Sequence, residues 1–238
     1  MTPRFAQLVN PYFSQVLELA ERMRRREPVE LERERDALIE ELDLIATEVS
    51  NDRTIRDEHF ALAKPALIYW TDEILTQADP DWKEMTLEMR VLGSRDRAWL
   101  FYKDGHTQAL GSHPDVLEVY YLALALNFRG DIEEAFRFHL NYDNLPGNVD
   151  DPEAARQAWA KELESRLQAT ARTEPTASES GGALVDLPGH RRLPKAIAAV
   201  VAAAMLVVGL GLFMRFVIHA EPESQTAPAA DWYEDETY

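Results

Sequence analysis

The 238-residue chain has no cysteine, which excludes disulfides, thiolate metal sites and thiol catalysis. It has no surplus of base: 42 Asp and Glu against 25 Lys and Arg give a formal net charge of −17, so nucleic acid is excluded as a partner by charge. Strand signals are missing as well, because no run of β-branched residues with period two is bounded by turns. Nor is there a Gly-rich loop to cradle phosphate, an HExxH pair or a G-x-S-x-G elbow. Internal repeats and long heptad patterns are absent. What remains is helical periodicity, and it runs through the first 170 residues or so, enough to bury one sizeable core of all-α class.

Long apolar runs are scarce too, with one exception. Residues 196–214 hold nineteen positions without a charged or strongly polar side chain. At about 1.5 Å per residue they make a helix roughly 28 Å long, close to the ~30 Å hydrocarbon core of a bilayer, and Phe216, Val217 and Ile218 extend it. A central helix in a soluble core is the alternative. No second long apolar segment exists to enclose it, however, and Ser-, Pro- and Gly-containing stretches isolate it on both sides. A signal peptide is not expected, since residues 1–10 lack a basic region followed by an apolar run.

The flanks orient the span. Arg191, Arg192 and Lys195 precede it, only Arg215 follows, and the last eighteen residues carry six acids and no Lys or Arg. An excess of Lys and Arg marks the cytoplasmic side, which assigns the N-terminal head to the cytoplasm. Arg215 lies close enough to the far end to snorkel to the interface. Without the six tail acids and Arg215, the rest holds 36 acids against 24 bases, a net charge near −12. Within the span, Ala198 with Ala202 and Ala199 with Ala203 are small residues four apart that permit close helix approach. The expected organisation is a helical head over 1–169, a flexible linker and basic flank over 170–195, a transmembrane helix over 196–218 and a short acidic tail over 219–238.

Proline lacks the N–H that a first helical turn leaves unpaired, so Pro11, Pro28, Pro114 and Pro152 read as helix starts. The spacing predicts helices over 11–26, 28–50 and 56–77, the last with Pro65 either kinking it or dividing it. Leu31, Leu38, Leu42, Ile45 and Val49 form the stripe of the second. Shorter helices follow over 82–92 and 97–110, with Gly105 weakening the latter. The helix opened by Pro114 is apolar nearly all round, which suits the centre of a bundle. Gly130 ends it, Asp131 caps a short helix to about 140, and 152–169 is the last helix of the head.

Few residues offer chemistry. His106 and His113 are the nearest histidines in sequence, but Gly111 and Pro114 leave them no common helix face, so capping or surface roles outweigh a metal site. Asp72 and Glu73 follow the apolar run Ala66-Leu67-Ile68-Tyr69-Trp70. A carboxylate pair can do acid–base work, yet neighbouring helix positions point about 100° apart, which favours an ion pair or a helix-end hydrogen bond. Glu118 sits early in its helix, where the dipole favours a negative charge. Arg22, Arg24, Arg25 and Arg26 precede Glu30, Glu32 and Glu34 and read as a solvated, internally paired face, with anionic lipid or a partner as the alternative.

Taken in order, these elements resemble the DotU/TssL family, also called IcmH, of bacterial type VI and type IVB secretion systems. Trp70-Thr71-Asp72-Glu73 looks like the family's apolar helix ending in a Leu-Asp-Glu-type motif, and Trp99-Leu100-Phe101 falls where the family has an aromatic pair. The segment from Leu117 through Glu118, Tyr120, Tyr121, Phe128 and Gly130 is similar to its Leu-Glu-x-Tyr-Tyr-x-x-Leu-x-x-Gly-Phe-x-Gly pattern, with Asn127 where Gly is usual. The Gly pair before the aromatic motif is reduced to Gly93, and the tail is too short for a peptidoglycan-binding domain. Asn127 tolerates left-handed backbone better than most residues that carry a Cβ.

The resemblance implies an all-helical cytoplasmic head of two small bundles on a single-pass inner-membrane anchor with a periplasmic tail. It further implies binding to an IcmF/TssM-like inner-membrane protein and to a TssK-like baseplate component, contact with membrane lipid, a possible homo-oligomer, no cofactor and no catalytic turnover. A tail-anchored adaptor unrelated to secretion, and a membrane-tethered hydrolase using Asp72, are the competing readings.

Overall fold

The computed structural model describes residues 1–173. Its α-helices are α1 (Pro3–Arg24), α2 (Leu31–Asn51), α3 (Asp57–Ala78), α4 (Leu87–Val91), α5 (Arg97–Asp104), α6 (Pro114–Ala125) and α7 (Pro152–Thr173). A 3-10 turn, Pro80–Met85, joins α3 to α4, a wider π turn, Gly105–Ala109, continues α5, and a second π-helical segment spans Glu134–His139. No strand occurs among the described residues, in keeping with the all-α reading. Nor is any helix among them long and apolar enough to cross a membrane. The expected span at 196–218, its flank Arg191, Arg192 and Lys195, and the acidic tail lie outside the described residues.

Two of the four prolines start helices as expected: Pro114 and Pro152 open α6 and α7. The other two do not. Pro11 lies inside α1, which begins eight positions earlier at Pro3, because Phe5 and Val9 continue the buried stripe of Tyr12, Phe13, Val16, Leu19, Ala20 and Met23. An interior proline costs roughly 3 kcal/mol, and this two-turn extension of the stripe offsets that by burying Phe5 and Val9 completely. Pro28 precedes α2 without opening it. Arg26 adopts φ +57°, and Glu30 is extended, so the helix starts at Leu31. Pro65 leaves α3 undivided, and α7 runs past 169 to Thr173.

The core is organised by α3, which packs against α1, α2, α4, α5 and α6. Its segment from Ala66 to Leu75 is enclosed nearly all round: Ala66, Leu67, Ile68, Tyr69, Trp70, Thr71, Asp72, Ile74 and Leu75 are all buried. A polar all-round burial of this kind is tolerated only when the polar groups are paired. Thr71 meets this by donating to the Leu67 carbonyl while sharing a 3.0 Å hydrogen bond with the Tyr12 hydroxyl of α1. Helix α6, expected at the centre, shares it with α3: Val116, Leu117, Val119, Tyr120 and Ala123 are buried, while Tyr121, Leu122 and Leu124 are half-covered. One group of helices, α1 with α2, and another, α6 with α7, thus meet on the common α3, and the described residues all belong to one compact unit.

Candidate functional site

The C-terminal half of α3 carries the densest set of specific contacts, and Asp72 is its focus. The carboxylate is fully buried and accepts three hydrogen bonds: from Trp82 Nε1 at 2.8 Å, from the Leu87 amide at 2.9 Å and from the Glu88 amide at 2.7 Å. Leu87 and Glu88 are the first two residues of α4, whose amides have no partner within the helix. Asp72 therefore caps a helix remote in sequence, and the negative charge faces the positive end of that helix's backbone dipoles. Burial pushes its pKa up to about 6, against the pull of the Glu88, Trp82 and Leu87 donors and of Arg97. With both oxygens engaged by protein donors, this carboxylate is a structural acceptor, which argues against the hydrolase reading.

Glu73 points elsewhere, as the angle between adjacent positions requires. It accepts from the Arg129 amide at 3.2 Å and the Gly130 amide at 3.3 Å. Trp70 and Gln77 flank it on the same face at helical spacing: Trp70 Nε1 donates to the Leu126 carbonyl and Gln77 accepts from Asn127 Nδ2, both at 3.3 Å. Positions 70, 73 and 77 thus grip the whole turn from Leu126 to Gly130. In that turn Asn127 takes φ +74° and Gly130 φ +51°, so Asn127 does occupy the left-handed conformation for which Asn is suited.

The turn delivers Phe128 into an aromatic cluster. Phe128 is buried and stacks on Phe101 with ring centroids 4.0 Å apart, and Phe101 also meets Tyr120 at 5.0 Å and Trp159 of α7 at 6.0 Å. The Tyr102 hydroxyl donates to the Arg129 carbonyl, and the Asp131 amide to the Ala98 carbonyl. Leu117 is buried in the same core, whereas Tyr121 is half-exposed and lines a cleft of about 240 Å³ with Leu124, Phe128, Arg129, Glu153 and Arg156. Glu118 stands apart from these: it pairs with the Met1 ammonium. Gly105 does more than weaken its helix, because a Cβ there would lie 2.7 Å from the Trp159 ring.

Three features were not visible in the residues as read. Glu88 is wholly buried, accepts from Ser94 Oγ and the Asp96 amide at 2.6 Å each, and lies 3.7 Å from Arg97. Trp82 is the other half of the Asp72 clamp. Asp115, beside the helix-opening Pro114, accepts from both the amide and the hydroxyl of Thr2 and so ties α1 to α6. A signal for Asp115 existed, since Asp is favoured in a first turn, but its partner 113 residues away was beyond reading. His106 and His113 are not brought together: His106 bonds to the Tyr142 hydroxyl at 3.1 Å, and His113 caps α6 and stacks on His59. Of the arginine face, Arg22 meets one of the acids that follow it, Glu34 at 3.1 Å, whereas Arg25 pairs within its own helix with Glu21 at 2.9 Å.

The residues that matched the family pattern are therefore mostly internal pins, which set one arrangement of α3, α4, α6 and the turn after α6. Exposed apolar side chains that could meet a partner are others: Leu44 on α2, Met89 and Leu92 by α4, and Phe138, which is 73 % exposed. No curated protein and no solved structure matches the chain. Residues 6–217 match the family described as type VI secretion system protein DotU, a span that runs from the first turn of α1 through α7 and on past the apolar run. With an all-helical fold built around the pattern's own side chains and a match over most of its length, the chain belongs to the DotU family of type VI secretion system proteins.

Proposed function

We propose that the protein is a membrane-anchored docking subunit of a type VI secretion membrane complex. The two helix groups that share α3 form a cytoplasmic head, residues 196–218 cross the inner membrane once, and residues 219–238 lie in the periplasm. An IcmF/TssM-like membrane protein and a TssK-like baseplate component are its partners, and no turnover is required of it. The observation that carries this reading is the family match to residue 217, which includes the nineteen-residue apolar run within the family's own extent. The charge bias of Arg191, Arg192 and Lys195 supplies the orientation.

Affinity capture of the full-length protein in mild detergent from its own cells is expected to retain the IcmF/TssM-like protein. Recovery of none under those conditions would count against the docking role. Topology has a cleaner test, because the chain has no cysteine and therefore no labelling background. In intact spheroplasts a membrane-impermeant maleimide should label Ser224→Cys and leave Ser178→Cys unreacted until the membrane is broken. The reverse pattern, or equal labelling of the two, refutes the assigned orientation.

A further inference from the structure

Among the side chains that match the family pattern, Tyr121 is the one that internal packing leaves unexplained. It is half-exposed, and its hydroxyl has no hydrogen-bond partner among the described residues. It lines the cleft of about 240 Å³ that lies between α6 and α7. Helix α6 adds Leu124 and Ala125, α7 adds Glu153, Arg156 and Ala160 at intervals of three and four, and the turn after α6 adds Arg129. The side chains of Ala125 and Ala160 end at Cβ, which keeps the groove open where a longer side chain would fill it. Of the three charged residues in the lining, Glu153 is taken by Arg156, whose guanidinium donates to it at 2.5 Å. Arg129 is left over. Its backbone is held by Glu73 and Tyr102, but its exposed guanidinium has no acid within ion-pair distance among the described residues. In a chain of net charge −17, the lining of this cleft is therefore positive.

We propose that the α6–α7 cleft is the docking site for a short segment of a partner protein in which an aliphatic or aromatic side chain stands beside an acidic one. The apolar side chain enters between Tyr121, Leu124 and Ala160, and the carboxylate pairs with the guanidinium of Arg129, which suits carboxylate geometry. The Tyr121 hydroxyl remains to donate to the segment. Tyrosine and arginine are also the residue types that most often anchor protein contacts. At about 240 Å³ the cleft falls below the roughly 300–1,000 Å³ that enclose a drug-sized ligand. It fits one anchoring side chain, with the rest of the segment lying across the rim. A wholly apolar segment would leave Arg129 without a partner, and a bare inorganic anion would leave the apolar lining uncovered. The site rests on the docking role proposed above and adds the chemistry of the segment that docks.

The test replaces Gln157, an exposed residue of the cleft lining, by the photoreactive p-benzoylphenylalanine in the full chain in its own cells, and identifies the cross-linked peptide by mass spectrometry. An adduct to another protein is expected, with an acid within two residues of an aliphatic or aromatic side chain. Its yield should fall at least about tenfold in Arg129→Glu and in Ala160→Phe, and exchanging the segment's acid for arginine should restore it in Arg129→Glu. If Ala160→Phe fails to fold, Ala125→Phe fills the same groove from an exposed position. An adduct to lipid or to a second copy of this chain, or a yield that Arg129→Glu leaves unaltered, overturns the proposal. Absence of any adduct while the IcmF/TssM-like protein is still captured overturns the site and leaves the docking role standing. An adduct of the expected kind without that capture does the reverse, and absence of both overturns both.

Discussion

Asp72→Ala is expected to be the most damaging single substitution at the carboxylate pair. It leaves the Trp82 indole N–H and the Leu87 and Glu88 amides buried without an acceptor, and it replaces the carboxylate by a void. Each orphaned buried donor costs about 1–3 kcal/mol, so a loss on the order of 4 kcal/mol is expected, a large share of the usual 5–15 kcal/mol total. Asp72→Asn should fall between it and the unaltered protein, because the amide keeps one accepting oxygen. Thermal unfolding of the full chain in mild detergent, followed by circular dichroism, measures both. An alanine variant within about 1 kcal/mol of the parent would remove Asp72 from its role as the clamp on α4.

The same residue gives a pH dependence of unusual sign. Its folded pKa, pushed up to about 6, lies above that of an unfolded Asp at about 3.9. Between those values the folded state holds the proton more tightly than the unfolded state does. The stability that this group contributes is therefore fully present below about pH 4 and is lost as pH rises through about 6. Most paired surface acids act oppositely, as at Asp52, where hydrogen bonds from Thr54 and Arg4 lower the pKa to about 2. The difference in stability between the parent and Asp72→Asn, measured from pH 4 to 7, isolates the Asp72 contribution. It should move against Asp72 as pH rises.

Gly130→Ala is expected to cost nearly as much, about 3 kcal/mol, by a different route. The residue holds φ +51°, and a Cβ there would lie 2.4 Å from the Ala98 carbonyl oxygen and 2.6 Å from the Phe128 ring. The first of these is backbone and is already fixed by the Asp131 amide, so it has little freedom to retreat. Gly93→Ala is the control. Gly93 has φ +70° with nothing near its missing Cβ, so only the conformational cost of about 1–2 kcal/mol should appear. Equal losses at the two positions would mean that the approach of Ala98 contributes nothing. If Gly130→Ala also weakens capture of the proposed IcmF/TssM-like partner beyond its loss of folded protein, the turn after α6 takes part in that docking.

Much of the helical order was legible because burial imposes a period of 3.6 on the sequence. Leu38, Leu42, Ile45 and Val49 mark the inner face of α2 and are all buried. Local chemistry was legible where its cause is local, as at Pro114, Pro152 and Asp131, which starts the segment before Glu134 by accepting from the Glu134 amide. Pro11 misled because a proline's local preference says nothing of the apolar face that continues on both sides of it. The family pattern was recognisable as a string of residues. What each of them holds was not: Asp72 and Glu73 are adjacent in the chain yet serve α4 and the turn after α6, segments 15 and 56 positions away.

By itself, the sequence determined the all-α class, the family and the position of the apolar run, since composition and short-range periodicity are properties of the chain before it folds. Only the tertiary structure decided that α3 is the shared centre, that the motif acids are internal caps and that His113 meets His59. Those outcomes depend on which distant donors and rings arrive beside a given side chain, and that is set by the packing of whole helices against one another, which no local interval in the chain encodes.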